Sequence, residues 1–267
     1  MQKMIFAISL ITLFASCERQ NSSDRAFVIH SEYVKDSFEV YINLPNDFNQ
    51  DEKYDVFYYL DANLKSGKKL RQFIQDSVLN KKSCKTIYVG IGHIGNYRVR
   101  RRRDFVVPKI ENNDTVNISE NFGQIDKFYM FLKAELIPTI SNRYNTNKDD
   151  NTIFGHSFGG LFTIYCLFKN DTLFKNFYSL SPSLWINDYS IYDFNHLPNS
   201  SFDNRNLFLS AGSKETVNKI KSGANDFEAF IKKKQYPYLK FRYMLYQGET
   251  HNSQVIHSIR EIFKAND

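Results

Sequence analysis

Residues 152–168 constrain this chain more than any other stretch. Thr152-Ile153-Phe154-Gly155 reads as a short apolar strand and Leu161–Phe168 as an apolar helix, with only His156-Ser157-Phe158-Gly159-Gly160 between them. A strand that turns into a helix over so few residues puts its turn residue on a sharp corner, with its side chain lifted clear of the sheet. Neighbouring side chains must be small or absent there, and Gly155 and Gly159 meet that need. The helix start offers unpaired backbone N–H groups and the positive end of the helix dipole. Ser157 on this corner is therefore a candidate nucleophile, and the N–H of Phe158 a candidate donor to a developing oxyanion.

The remaining segments alternate in type. Phe27–Val34 and Phe38–Leu44 read as two strands around Lys35-Asp36-Ser37, and Tyr54–Leu60 as a continuous apolar run of the kind buried on both faces of a parallel sheet. Leu70–Leu79 has helical spacing, Lys85–Ile91 is another buried strand, and Gly92 to Phe122 reads as a long irregular stretch. Ile125–Ile140 is a periodic helix with Phe128, Phe131, Leu132, Leu136 and Ile140 on one face. Phe177–Leu180, Leu207–Ala211 and Leu239–Leu245 follow as strands, with helices over Phe227–Lys234 and Val255–Phe263. Strand and helix in alternation imply right-handed crossovers. The expected fold is α/β, a mostly parallel sheet with helices on both faces, over one domain of residues 26–267.

A serine hydroxyl needs a base to become a nucleophile. On a strand–serine–helix corner of the α/β-hydrolase type, the partners follow in the order serine, acid, histidine, each after a later strand. Gly212-Ser213-Lys214-Glu215 follows the strand Leu207–Ala211, which makes Glu215 the candidate acid, with Asp226 and Asp188 as alternatives. Gly248-Glu249-Thr250-His251 follows the last strand, which makes His251 the candidate base. The loop after Tyr54–Leu60 begins Asp61-Ala62-Asn63, so the N–H of Ala62 or Asn63 is the second candidate oxyanion donor.

The N-terminus carries a different message. A short apolar run from Met4 ends in Phe14-Ala15-Ser16-Cys17, and a polar stretch follows at once. It is too short to span a bilayer comfortably and has the flanks of a cleaved signal. The small residues before Cys17 resemble a bacterial lipobox, so the expectation is a signal peptide over residues 1–17, lipidation at Cys17, a tether over residues 18–25 and a membrane-anchored envelope protein. Two further cysteines, Cys84 and Cys166, are too few for a disulfide framework and are expected as buried thiols. The net charge of +6 is too diffuse to argue for nucleic acid. Its one local concentration is Arg98-Val99-Arg100-Arg101-Arg102-Arg103, where Arg102 and Arg103 are candidates for holding an anionic substrate. Trp185 is a candidate wall of the cleft or a packing residue beneath its loop. No cofactor or metal is called for.

Several blocks in order resemble one family. Val56-Phe57-Tyr58-Tyr59-Leu60-Asp61 resembles a strand ending in Leu-Asp-Gly, with Ala62 in place of the glycine. Val89-Gly90-Ile91-Gly92 with Arg102-Arg103-Asp104-Phe105, then Phe131–Pro138, Ser181-Pro182-Ser183-Leu184-Trp185 and Gly248-Glu249-Thr250-His251 continue the likeness. Together they resemble the esterase D-like esterases, which include the siderophore (enterobactin-type) esterases. The resemblance implies a serine esterase acting on a small-molecule ester through an acyl-enzyme, with a triad acid that varies between members. A non-catalytic binding lipoprotein and an acyltransferase are the other readings on the same fold.

Overall fold

The computed structural model describes residues 24–81, 84–111, 114–116, 119, 121–197, 204–216 and 219–264. The expected signal segment, Cys17 and residues 18–23 of the tether lie outside the described residues. In chain order the elements are β1 (Asp24–Ser31), β2 (Asp36–Asn43), β3 (Tyr54–Leu60), α1 (Lys65–Ser77), β4 (Thr86–His93), α2 (Tyr97–Phe105), β5 (Lys109–Glu111) and β6 (Asp114–Val116). A long helix follows as α3 (Ile125–Phe131), a π-helical turn (Leu132–Leu136) and α4 (Ile137–Arg143). Then come β7 (Thr146–His156), α5 (Phe158–Phe168), β8 (Asn176–Leu180), a 3-10 segment (Ile186–Phe194), β9 (Arg205–Gly212), α6 (Ile220–Lys234), β10 (Leu239–Tyr246) and α7 (Gln254–Lys264).

The central strands are apolar without interruption because both of their faces are covered. Along β3, Tyr54, Val56, Tyr58 and Leu60 enter one core while Phe57 and Tyr59 enter the other. The larger core lies under α3, α5 and α6, with Phe128, Phe131, Leu161, Phe162 and Phe227 among its side chains. The smaller lies under α1 and α7, whose Leu70, Ile74, Val255, Ile259 and Ile262 recur at helical spacing. The eight-stranded sheet has the order β1-β2-β4-β3-β7-β8-β9-β10. All pairs from β4 to β10 are parallel, and the β1–β2 and β2–β4 pairs are antiparallel. This is the mostly parallel α/β architecture with helices on both faces.

Four details correct the sequence reading. β1 begins at Asp24, inside the expected tether, because its first residues pair with Asn43 and Ile42 of β2. β7 begins at Thr146 rather than Thr152, because its start, Thr146 to Asn151, is polar and carries no apolar pattern; its register against β3 shifts between Tyr54 and Val56. The stretch from Gly92 to Phe122 is largely ordered secondary structure, with β4 running to His93, then α2 and the β5–β6 hairpin. The helix over 125–143 is interrupted at Leu132–Leu136, where the N–H of Ile137 reaches back to the carbonyl of Leu132. Pro138 lacks an N–H and its ring crowds the preceding turn, and the wider π-turn accommodates both. Cys84 and Cys166 are buried free thiols.

An aromatic cluster joins the N-terminal hairpin to the helices. Phe128 is fully buried and its ring meets Phe38 of β2, Phe105 of α2, and Phe131 and Phe162 of the helices at centroid distances of 5.3, 5.1, 5.5 and 5.0 Å. Phe128→Ala is expected to lower the unfolding free energy by about 3–5 kcal/mol, because the void cannot close without moving four elements. Urea denaturation followed by circular dichroism checks this. A loss under about 1 kcal/mol would show that the cluster does not tie these elements together.

Candidate active site

β7 ends at His156 and α5 begins at Phe158, so Ser157 alone makes the corner. Its φ of 61° and ψ of −116° are strained for a non-glycine residue. Close packing holds it there. A Cβ on Gly155 would sit 2.1 Å from the carbonyl oxygen of Gly159, and one on Gly160 would sit 2.9 Å from that of Leu180. The Ser157 N–H donates to Leu180 O at 2.9 Å, and its carbonyl accepts from Leu161 and from Ser183 at 3.0 and 3.2 Å. The Phe158 N–H donates to no carbonyl among the described residues, so it remains open at the helix start. Ser157 Oγ lies 3.3 Å from Ser183 Oγ.

His251 follows β10 and Glu215 follows β9. His251 Nδ1 lies 2.7 Å from Glu215 Oε2, with the carboxylate side chain 1% exposed and the imidazole 31%. Since the carboxylate accepts, Nδ1 carries the proton and Nε2 is left as the basic nitrogen. Glu215 Oε1 accepts from Ser181 Oγ at 2.7 Å and from the Gly212 N–H at 2.5 Å. Asp188 is exposed and meets Lys109 at 3.5 Å, and Asp226 is exposed on α6, so neither alternative acid meets His251.

The loop after β3 narrows the oxyanion candidates. The Ala62 N–H donates to Ile91 O at 3.0 Å, which removes Ala62 as a donor to substrate. Asn63 keeps its N–H, and its side-chain amide donates to His93 O at 2.8 Å, which fixes the loop against the end of β4. Trp185 is half-buried against the larger core, and its indole N–H has no partner among the described residues.

The arginine run is a helix held by carboxylates. Arg103 joins Asp104 at 2.6 Å and Asp36 at 2.9 Å, so its charge is spent inside the fold and it is not open to substrate. Arg100 also meets Asp36, and Arg102 is exposed. The arginine at the corner is instead Arg101. It forms a two-bond fork on buried Asp61, with Nε–Oδ1 at 2.7 Å and Nη2–Oδ2 at 2.9 Å, and lies over the ring of Phe158. Within a run of arginines, no sequence signal separates one that meets the corner from its neighbours.

His156, the last residue of β7, contacts His251. Its Nε2–H donates to His251 O at 2.9 Å, and the two rings lie 4.4 Å apart. Burial, then the neighbouring His251, push its imidazole well below the ordinary 6.5. A depressed histidine contributes stability that is complete above the ordinary value and is lost as pH falls below it, because the unfolded chain then binds the extra proton. His156→Gln is therefore expected to flatten the fall of Tm between about pH 7 and pH 5 relative to the wild type. Thermal denaturation across that range checks it, and parallel curves for the two proteins would contradict it.

The chain is similar to known esterases. The sequence profile of the Esterase family ("Putative esterase") matches residues 31–265. The chain is 27% identical over 209 residues to the ferri-bacillibactin esterase BesA of Bacillus subtilis, covering 73% of this chain and 71% of that one. It is 26% identical to the apo-salmochelin esterase of Escherichia coli, over 55% of this chain and 47% of that one. Among solved structures, the BES protein of Bacillus cereus superposes with a TM-score of 0.77 at 25% identity, covering 92% of this chain and 96% of that one. The chain belongs to the Esterase family and is a carboxylic-ester hydrolase of the α/β-hydrolase fold.

Proposed function

We propose that this protein hydrolyses siderophore esters through an acyl-enzyme on Ser157, with His251 as base and Glu215 as the acid that orients it. The observation that carries the reading is the 2.7 Å contact between His251 Nδ1 and Glu215 Oε2. With Nδ1 occupied, Nε2 takes the proton of Ser157 as Oγ attacks the ester carbonyl. The Phe158 and Asn63 N–H groups stabilise the oxyanion. Collapse of the tetrahedral intermediate expels the alcohol, which takes the proton back from His251. Water then repeats the sequence on the acyl-enzyme and frees Ser157. Glu215 stays ionised and stabilises the imidazolium in both halves.

The substrate class rests on the relatives, two of which are named for bacillibactin and salmochelin esters. Arg102, exposed on α2, is the cation assigned to draw an anionic ester toward the site by long-range attraction. Ser157→Ala is expected to lower kcat by about 10⁴-fold or more on ferric and iron-free siderophore esters while the thermal unfolding curve is retained. Steady-state hydrolysis of these alongside short acyl and feruloyl esters tests it. Siderophore esters turned over no faster than the others would overturn the substrate class, and a folded Ser157→Ala protein of undiminished activity would overturn the nucleophile.

We also propose that the mature chain is held to a bacterial envelope membrane by lipid on Cys17, on the strength of Phe14-Ala15-Ser16-Cys17. Cys17→Ser is expected to move the protein from the membrane to the soluble fraction. Mass spectrometry of the mature N-terminus checks it, and an unmodified N-terminus at another residue would contradict it.

A further inference from the structure

Beneath Glu215 lies a polar network that the reaction as described does not use. Ser181 follows β8, Ser210 lies on β9, and Gln254 and Ser258 lie on α7. All four are fully buried. Ser181 Oγ is 2.7 Å from Glu215 Oε1, and Gln254 Nε2 is 2.9 Å from Ser181 Oγ. Gln254 Oε1 in turn lies 2.6 Å from Ser258 Oγ and 3.1 Å from Ser210 Oγ, and the two hydroxyls are 2.9 Å apart.

The direction of each bond follows from chemistry. A carboxylate only accepts, so Ser181 must give its single proton to Glu215. Ser181 Oγ is then an acceptor, and the group facing it must be the amide N–H₂ of Gln254. That turns Gln254 Oε1 toward Ser210 and Ser258, and their hydroxyls can donate to it. Rotating the amide would put its oxygen on Ser181 and compete for the proton that Glu215 needs. One orientation of Gln254 thus fixes one orientation of the Ser181 hydroxyl. That hydroxyl, with the Gly212 N–H, holds Oε1 so that Oε2 faces His251.

Four buried polar side chains in place of apolar ones carry a desolvation cost that packing alone does not require. We propose that Gln254, acting through Ser181, is a positioning residue for the triad acid, so that the N-terminus of α7 sets the geometry of the Glu215–His251 pair. This rests on the assignment of Glu215 as the acid. It goes beyond that assignment by naming what holds the acid in place. The effect belongs to the chemical step, since none of these residues is exposed to a substrate.

The test is a double-mutant cycle on the full chain, with hydrolysis of a p-nitrophenyl ester as the readout. Gln254→Met keeps length and removes both hydrogen-bonding ends. It is expected to lower kcat by about tenfold, with KM changed by less than about twofold. In a Glu215→Gln background the same change is expected to cost less than about twofold, because the group it positions is gone. Ser181→Ala follows the same pattern, and serves as the independent arm if Gln254→Met does not fold. Equal losses in both backgrounds would mean a general structural effect and overturn the proposal, as would a folded Gln254→Met with wild-type kcat. A Glu215→Gln enzyme with wild-type kcat would overturn the acid assignment itself, and this proposal with it.

Discussion

The corner at Ser157 is the constraint on which the rest of the molecule depends. A non-glycine residue at φ 61° is held only if its surroundings leave no alternative. The absent side chain of Gly155 lets β7 and α5 close to backbone contact, and that of Gly160 lets α5 approach the carbonyl at the end of β8. Ten of the eleven residues of α5 are buried, which locks the helix beneath the corner. β7 lies near the middle of the sheet, so the loops leaving the neighbouring parallel strands end around it. Asn63 follows β3, Ser183 follows β8, Glu215 follows β9 and His251 follows β10. The site is thus assembled by topology, at the carboxyl edge of the parallel strands where this class of sheet presents its ligands.

Charge is distributed to serve that geometry. Asp61 is 1% exposed and also has positive φ, and the forked bond from Arg101 compensates its burial. Asp104 is fully buried between His93 and Arg103, and Asp36 joins Arg100 and Arg103 to the first hairpin. The long connection between β4 and the helix at Ile125 is therefore fastened at its base by ion pairs and an aromatic core. Replacing one partner of such a buried pair leaves an uncompensated charge, which costs far more than losing an exposed pair.

Much of this was legible in the sequence, for physical reasons that differ by region. Tyr54–Leu60 announces a buried strand because no residue in it needs water, and its bounds match the structure. Glu215 and His251, which the structure brings within 2.7 Å of each other, could be singled out because each follows a strand next along the parallel sheet. The starts of β7 and β1 were not legible, since a polar run carries no apolar alternation to mark a strand. α2 escaped because a helix held by ion pairs shows no apolar stripe. His156, Arg101, Ser181 and Gln254 were missed as contacts of the site. Each acquires its role from a partner distant in the chain, and in the sequence each belongs to a motif or helix with an ordinary explanation.

The most direct test is to ask which atom of the folded protein reacts as the nucleophile. Incubation with a fluorophosphonate, followed by intact-mass measurement and peptide mapping, reads this without assuming a substrate. The account predicts one adduct per chain, carried by the peptide that contains Ser157, with hydrolysis lost in step with labelling. An adduct on a different residue, or full hydrolytic activity in protein labelled at Ser157, would contradict it.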